Sequence, residues 1–144
     1  MRMMMTDLLV PFDNSLPAVR ALDLAIGLAR ARAGTTLHVL SVLDAVDVDT
    51  RELIDASEIE KVLAAEAAEM LDPARARVRA AGIAYDCHVA SGAPASVIAE
   101  FARKHGVAQI VMGTRGLGSI SGLLMGSVAQ RVLHLADCPI TLVK

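Results

Sequence analysis

The chain has 144 residues and a formal net charge of −2; 54% of its residues are hydrophobic and only 2% are aromatic. This length is enough for one domain with its own apolar core, and we expect a single domain over residues 1–144. The acidic balance and the scarcity of rings that stack on bases argue against a nucleic-acid partner. The apolar runs are too short to cross a bilayer and the start lacks signal-peptide features, so we expect a cytoplasmic protein without a membrane partner.

Strand-like and helix-like segments alternate along the chain. The predicted strands cover residues 7–12, 35–43, 84–90, 108–113 and 139–144. Strands joined by helices pair in parallel through right-handed crossovers, so the alternation predicts an α/β fold with an open parallel sheet. Pro73 lies within the second helical segment, where it removes a backbone donor, and we expect a kink or break at Asp72–Pro73.

A glycine-rich stretch, "GTRGLGSISGLLMGS", follows the fourth predicted strand over residues 113–127. Glycine lets a ligand approach the backbone closely, and the next helix begins at Gly126–Ser127, where free amides and the helix dipole favour an anion. Neither the Walker P-loop pattern nor the dinucleotide fingerprint is present. The composition alone leaves two interpretations open, a phosphate site and a flexible turn.

Several segments along the chain form a recognisable set: "DLLVPFDNS", "LHVLSV", "SGAPASVI", "IVMGTRGLG" and "GLLMGSVAQRVLHLADCPITLVK". Through these segments the chain resembles the universal stress protein family over essentially its whole length. Gly113, Gly116 and Gly126–Ser127 match the spacing G-x2-G-x9-G-[ST] that marks the ATP-binding branch of the family. The resemblance implies a Rossmann-like sheet of five parallel strands in the order 3-2-1-4-5, with helices on both faces. Strands one and four then lie side by side.

The resemblance also implies a set of contacts to ATP, carried with Mg²⁺. They are Pro11 and Asp13 at the adenine and ribose end, Val39 beside the adenine, Met112 and Val128 along the floor, and Gly113, Gly116, Gly126 and Ser127 around the phosphates. Arg115 is our own addition from its place in the loop, with a solvent-exposed arginine as the alternative. Asp13 also has a second interpretation, since turn chemistry next to Asn14 and Ser15 explains an aspartate there.

The histidines do not suggest a metal site. His38 falls in a central predicted strand, where an interior histidine with satisfied hydrogen bonds is expected. His88, His105 and His134 show no metal-type spacing with acids or cysteines, so we expect no bound metal ion at protein ligands.

The glycine-rich stretch and the family resemblance together imply an ATP-binding, stress-response regulatory protein. The apolar strand 139–144 at a sheet edge favours pairing with a second copy, and the resemblance implies a homodimer through the same strand. No general base or pair of metal-binding carboxylates stands out to support fast turnover. Two alternatives stay open: a slow ATPase or phosphotransferase, and a dimeric scaffold whose nucleotide site is vestigial.

Overall fold

The computed structural model describes residues 6–43, 56–116 and 125–144. The strands are β1 (Leu8–Pro11), β2 (Thr36–Leu43), β3 (Ala84–Ser91), β4 (Gln109–Gly113) and β5 (Ile140–Val143). The helices are α1 (Leu16–Ala31), α2 (Ala56–Ala81), α3 (Pro94–Lys104) and α4 (Ser127–Leu135). None of the helices within these ranges is both long enough and apolar enough to cross a membrane.

The five strands form one parallel sheet in the order β3-β2-β1-β4-β5, which confirms the predicted order. Strand β1 pairs with β2 through Val10 and Val39 and with β4 through Leu9 and Ile110. After β1 the chain adds β2 and then β3 on one side of the sheet, and it then adds β4 and β5 on the other side of β1. A sheet with such a reversal has a crevice between the two strands, outside their carboxyl ends.

Two apolar layers cover the sheet because side chains alternate along each strand. Leu8, Val10 and their neighbours on one face pack against α1 and α2. Leu9, Leu40 and their neighbours on the other face pack against α3 and α4. The central strands are buried on both faces, which explains why β1 and β2 are apolar along most of their length instead of alternating with polar residues.

Helix α2 continues through Pro73, so the break expected there is wrong. The helix keeps one buried stripe on both sides of the proline, made by Ala67, Leu71, Ala74 and Val78. Pro73 itself is exposed, so the carbonyl that loses its helical donor faces water, which can replace the missing hydrogen bond. Packing of the buried stripe outweighs the local cost of the proline.

Candidate functional site

A cavity of about 620 Å³ lies at the carboxyl ends of the strands, at the reversal between β1 and β4. Small-molecule sites typically occupy about 300–1,000 Å³, so the space suits a ligand of nucleotide size. The walls come from the carboxyl ends of β1, β2 and β4, from the segments that follow β1 and β4, and from the helices α1, α2, α3 and α4. Helices α3 and α4 contribute residues near their amino-terminal ends, Pro94 and Ser127 among them. Both of those helices therefore direct their amino-terminal ends toward the cavity.

Most of the residues predicted as nucleotide contacts are brought together here. The lining includes Pro11, Asp13, Met112, Gly113, Arg115, Gly116, Gly126, Ser127 and Val128. Val39 is the exception and corrects the prediction. Its side chain is 0% exposed and packs in the core with Val10 and Val111, on the face covered by α1 and α2. The part of β2 that lines the cavity begins at Leu40 and continues to Leu43, nearer the carboxyl end.

The turn between β1 and α1 holds Asp13 at the cavity. Asn14 adopts a left-handed backbone conformation with φ of 65°, which asparagine tolerates well. The Oδ1 of Asp13 accepts a hydrogen bond of 3.0 Å from the Ser15 amide. Hydrogen bonding within the turn thus accounts for the position of Oδ1, whereas the other carboxylate oxygen, Oδ2, is directed toward Gly116.

Ser15 connects the start of α1 to the glycine loop. It is the N-cap of the helix, and its Oγ accepts a hydrogen bond of 3.2 Å from the Ala18 amide. The same hydroxyl donates to the Arg115 carbonyl at 3.5 Å. One buried side chain therefore fixes the positions of the segments that follow β1 and β4.

Backbone conformation does not explain the glycines at Gly113 and Gly116, since neither has a positive φ. The close approach of neighbouring atoms explains them instead. A Cβ atom on Gly113 would lie 2.7 Å from Pro17 Cβ and 2.9 Å from the Pro17 carbonyl carbon. A Cβ atom on Gly116 would overlap Asp13 Oδ2. Gly113 thus allows α1 to pack on the end of β4, and Gly116 leaves room for the carboxylate.

The first turn of α4 presents free backbone donors to the cavity. Gly126 is the N-cap and has no side chain to accept from the helix amides. Its own amide donates to the Thr114 carbonyl at 2.6 Å, which holds the helix start against the end of β4. The first amides of a helix have no partner within it and lie at the positive end of its dipole. Ser127, Val128 and Ala129 line the cavity at this point, where an anion is favoured.

The charged residues of the lining are few. Arg115 is the one cationic side chain among the described lining residues, and it is exposed. Asp13 and Glu66 supply the carboxylates. Arg115 thus stands in the same loop as Gly113 and Gly116, in a position to meet a negatively charged ligand.

Part of the cavity was not predicted from the sequence. The walls also include Ser41, Val42, Glu66, Met70, Pro94 and Ile98. These residues come from the end of β2 and from two helices. Ser41, Val42, Pro94 and Ile98 lie in segments that carry the family resemblance but were assigned no contact, whereas Glu66 and Met70 lie outside those segments. The strand order would have located Ser41 and Val42, because the carboxyl end of β2 must lie next to that of β1.

Comparison with known proteins identifies the family. The model of the universal stress protein family matches residues 4–144. Universal stress protein YxiE of Bacillus subtilis (strain 168) is 30% identical over 150 residues, which cover 98% of this chain and 100% of the relative. Universal stress protein UspA from Lactobacillus plantarum superposes with a TM-score of 0.84 at 26% identity, over 99% of this chain and 100% of that one. The universal stress protein from Archaeoglobus fulgidus, in complex with dAMP, gives a TM-score of 0.71 at 26% identity, over 98% of both chains. The chain belongs to the universal stress protein family.

Proposed function

We propose that this chain is a nucleotide-binding regulatory module of the cytoplasmic stress response, with ATP and Mg²⁺ as its ligands. The observation that carries the proposal is the meeting of two features in one cavity. The close-packed glycines after β4 and the uncapped start of α4 both face the space beside β1. This arrangement places the positive dipole end of α4 and the loop that carries Arg115 beside one cavity, where both favour a negatively charged ligand.

The phosphates are placed at the start of α4 in this proposal. The backbone amides of Ser127 and Val128 and the Ser127 hydroxyl are the donors, and Arg115 adds positive charge from the loop. Hydrogen bonds to charged oxygens are stronger than those between neutral groups, so such donors favour a triphosphate over a neutral ligand. Mg²⁺ enters bound to the phosphates, with the Asp13 carboxylate as the nearby protein ligand of the type that it prefers.

The adenine is placed away from the start of α4, against the apolar side chains at the carboxyl ends of β1 and β2. Pro11, Leu40 and Val42 line this end, with Ile98 from α3. A flat aromatic base gains from such burial in proportion to the apolar area removed from water. The dAMP complex of the Archaeoglobus fulgidus relative supports an adenine nucleotide as the ligand class.

A binding role is preferred over fast catalysis. Among the described lining residues, the acidic groups are Asp13 and Glu66, and no histidine is present. One Asp13 oxygen is already engaged by the Ser15 amide. A positioned general base is therefore not evident in this part of the chain, and turnover much slower than nucleotide exchange is expected.

Titration calorimetry with ATP and Mg²⁺ tests the proposal, after the protein has been denatured and its extract analysed for co-purified nucleotide. The Ser127→Ala variant is expected to bind ATP about tenfold more weakly, on the order of 1.4 kcal/mol, because one hydrogen bond to a phosphate is lost. Ser96→Ala is the matched control, since Ser96 is exposed on α3 and does not line the cavity. Absence of both bound nucleotide and binding heat would contradict the proposal and favour the dimeric scaffold.

We further propose that the chain forms a homodimer through β5. Among the strands of the described residues, β5 pairs with β4 alone, and its residues Ile140–Val143 are all half-buried. The carbonyls of Pro139 and Val143 accept hydrogen bonds from β4. Because backbone groups alternate in direction along a strand, those of Ile140 and Leu142 face the open edge. They are the groups that a second copy can pair with.

Sedimentation velocity tests the dimer. The wild-type chain is expected to sediment as a dimer, and Leu142→Pro as a folded monomer, because proline removes one outward-facing amide while sparing the pairing with β4. Leu142→Ala removes the same side chain and keeps the amide, so it is expected to remain dimeric. A monomeric wild type, or equal association of both variants, would contradict pairing through this edge.

A further inference from the structure

A second polar cluster lies at the opposite end of the sheet from the nucleotide cavity. His38 on β2 and Asp86 on β3 are each the third residue of their strand, His88 lies at the middle of β3, and Asp7 directly precedes β1. One donor atom from each of His38, Asp86 and His88 lies within 4.8 Å of the other two. The sequence spacing concealed this grouping, because the pairing of β2 with β3 places His38 opposite Asp86.

Asp7 determines which nitrogen of His38 carries the hydrogen. The Nε2 of His38 lies 3.1 Å from Asp7 Oδ2, and a carboxylate can only accept, so Nε2 donates. The other oxygen of Asp7 accepts from the Thr36 amide at 3.1 Å, which fixes the carboxylate in place. The lone pair of His38 is therefore on Nδ1. A carboxylate that orients a histidine in this way is the usual partner of a metal-binding histidine.

The His38 Nδ1 faces the Nε2 of His88 at 3.1 Å. Two nitrogens bound to one tetrahedral zinc ion, each at about 2.0–2.1 Å, lie about 3.3 Å apart. Without an ion, His88 Nε2 donates a hydrogen bond to His38 Nδ1, and the separation of the two nitrogens is close to that of two ligands of one zinc ion.

The surroundings leave the cluster open on one side. His38 is buried and His88 is half-buried, whereas Asp86 is exposed on the edge strand β3, so an ion can arrive from solvent. His105, just after α3, lies beside both rings, with centroid distances of 5.6 Å to His38 and to His88, and its own ring stacks on Phe101 at a centroid distance of 3.8 Å. The Nδ1 of His105 donates to the Phe101 carbonyl at 3.1 Å, so this nitrogen is already satisfied.

We propose that His38, His88 and Asp86 bind a divalent transition-metal ion, with Zn²⁺ as the best fit, and that Asp7 positions His38. Two imidazoles, one carboxylate and a remaining open position form a ligand set that suits zinc. The ion joins β2 to β3 at the edge of the sheet. This site is independent of nucleotide binding, because its residues do not line the cavity between β1 and β4.

The test is a titration of an untagged chain, freed of metal and of nucleotide, with Co²⁺ followed by visible absorption and with Zn²⁺ followed by calorimetry. One ion per chain is expected, and Co²⁺ should give the absorption bands of a nitrogen- and oxygen-bound ion of low coordination number. A wild-type chain that binds neither ion would overturn the proposal. The nucleotide titration is a separate readout, so failure of either proposal leaves the other standing.

The variants identify the ligands. His88→Gln and Asp86→Asn each remove one ligand and are expected to weaken binding by at least about tenfold, with thermal unfolding used to confirm that both remain folded. His134→Gln is the matched control, because His134 is exposed on α4 and outside the cluster. Unchanged affinity in His88→Gln, or an equal loss in His134→Gln, would overturn the assignment.

Asp7→Asn tests the positioning role. Asparagine can still accept from the Thr36 amide but no longer offers a carboxylate to His38, so metal affinity is expected to fall about 10- to 100-fold. The Co²⁺ bands are expected to shift as well, since the ligand strength of His38 changes. Unchanged bands and affinity would remove Asp7 from the proposal.

Discussion

Replacing Gly116 with valine is expected to abolish detectable ATP binding while the chain stays folded. The first side-chain carbon at this position would already overlap Asp13 Oδ2, and two further methyl groups would enter the space beside it. Either Asp13 or the loop must then move, and both line the cavity. The expected loss of affinity is at least about 100-fold, or about 2.7 kcal/mol. Gly116 is exposed, so the same change leaves the apolar core intact.

Calorimetric titration with ATP and Mg²⁺ measures this effect, and thermal unfolding checks the fold. Gly27→Val is the matched control. Gly27 is exposed on α1, and an added Cβ would have nothing within 4 Å. This variant is expected to bind ATP like the wild type. If Gly116→Val also bound ATP with wild-type affinity, the loop after β4 would not contact the ligand.

The fold was predictable because several local signals agreed with one another. The order of strands and helices was readable from apolar runs and turns, and the strand order followed from the family resemblance, which the comparisons confirm. The glycine spacing from Gly113 to Gly126 also indicated which loops form the cavity. Gly113 and Gly116 are informative because the close approach of neighbouring atoms leaves little room for a side chain at either position.

The errors arose where packing between distant segments decides the outcome. Val39 was assigned to the cavity by its position in a motif, but the carboxyl end of β2 begins to line the cavity one residue later, at Leu40. The break at Pro73 was expected from local chemistry, whereas the buried stripe through Leu71 and Ala74 continues across it. The register between β2 and β3 places His38 close to His88. The distance between these residues along the chain does not reveal that proximity.

Replacing Gly113 with alanine is expected to destabilise the chain by about 1–3 kcal/mol, the usual cost of forcing extra volume into a packed interior. The added methyl group would lie 2.7 Å from Pro17 Cβ, 2.9 Å from the Pro17 carbonyl carbon and 3.0 Å from the Ala18 nitrogen. The proline ring is rigid, and Ala18 is held by the Ser15 cap. Relief therefore requires α1 to shift away from β4, which separates two walls of the cavity.

Urea denaturation at a fixed protein concentration measures this loss, since association would otherwise change the apparent stability. Gly27→Ala is the control, and it is expected to raise the free energy of unfolding instead of lowering it. Alanine replaces an exposed helical glycine there, where an added Cβ meets no atom within 4 Å, so a gain of about 0.5–1 kcal/mol is expected. If Gly113→Ala were as stable as the wild type, α1 would have to lie farther from β4 than the contact with Pro17 implies. The pair of variants thus separates the effect of close packing from the general effect of adding a methyl group to glycine.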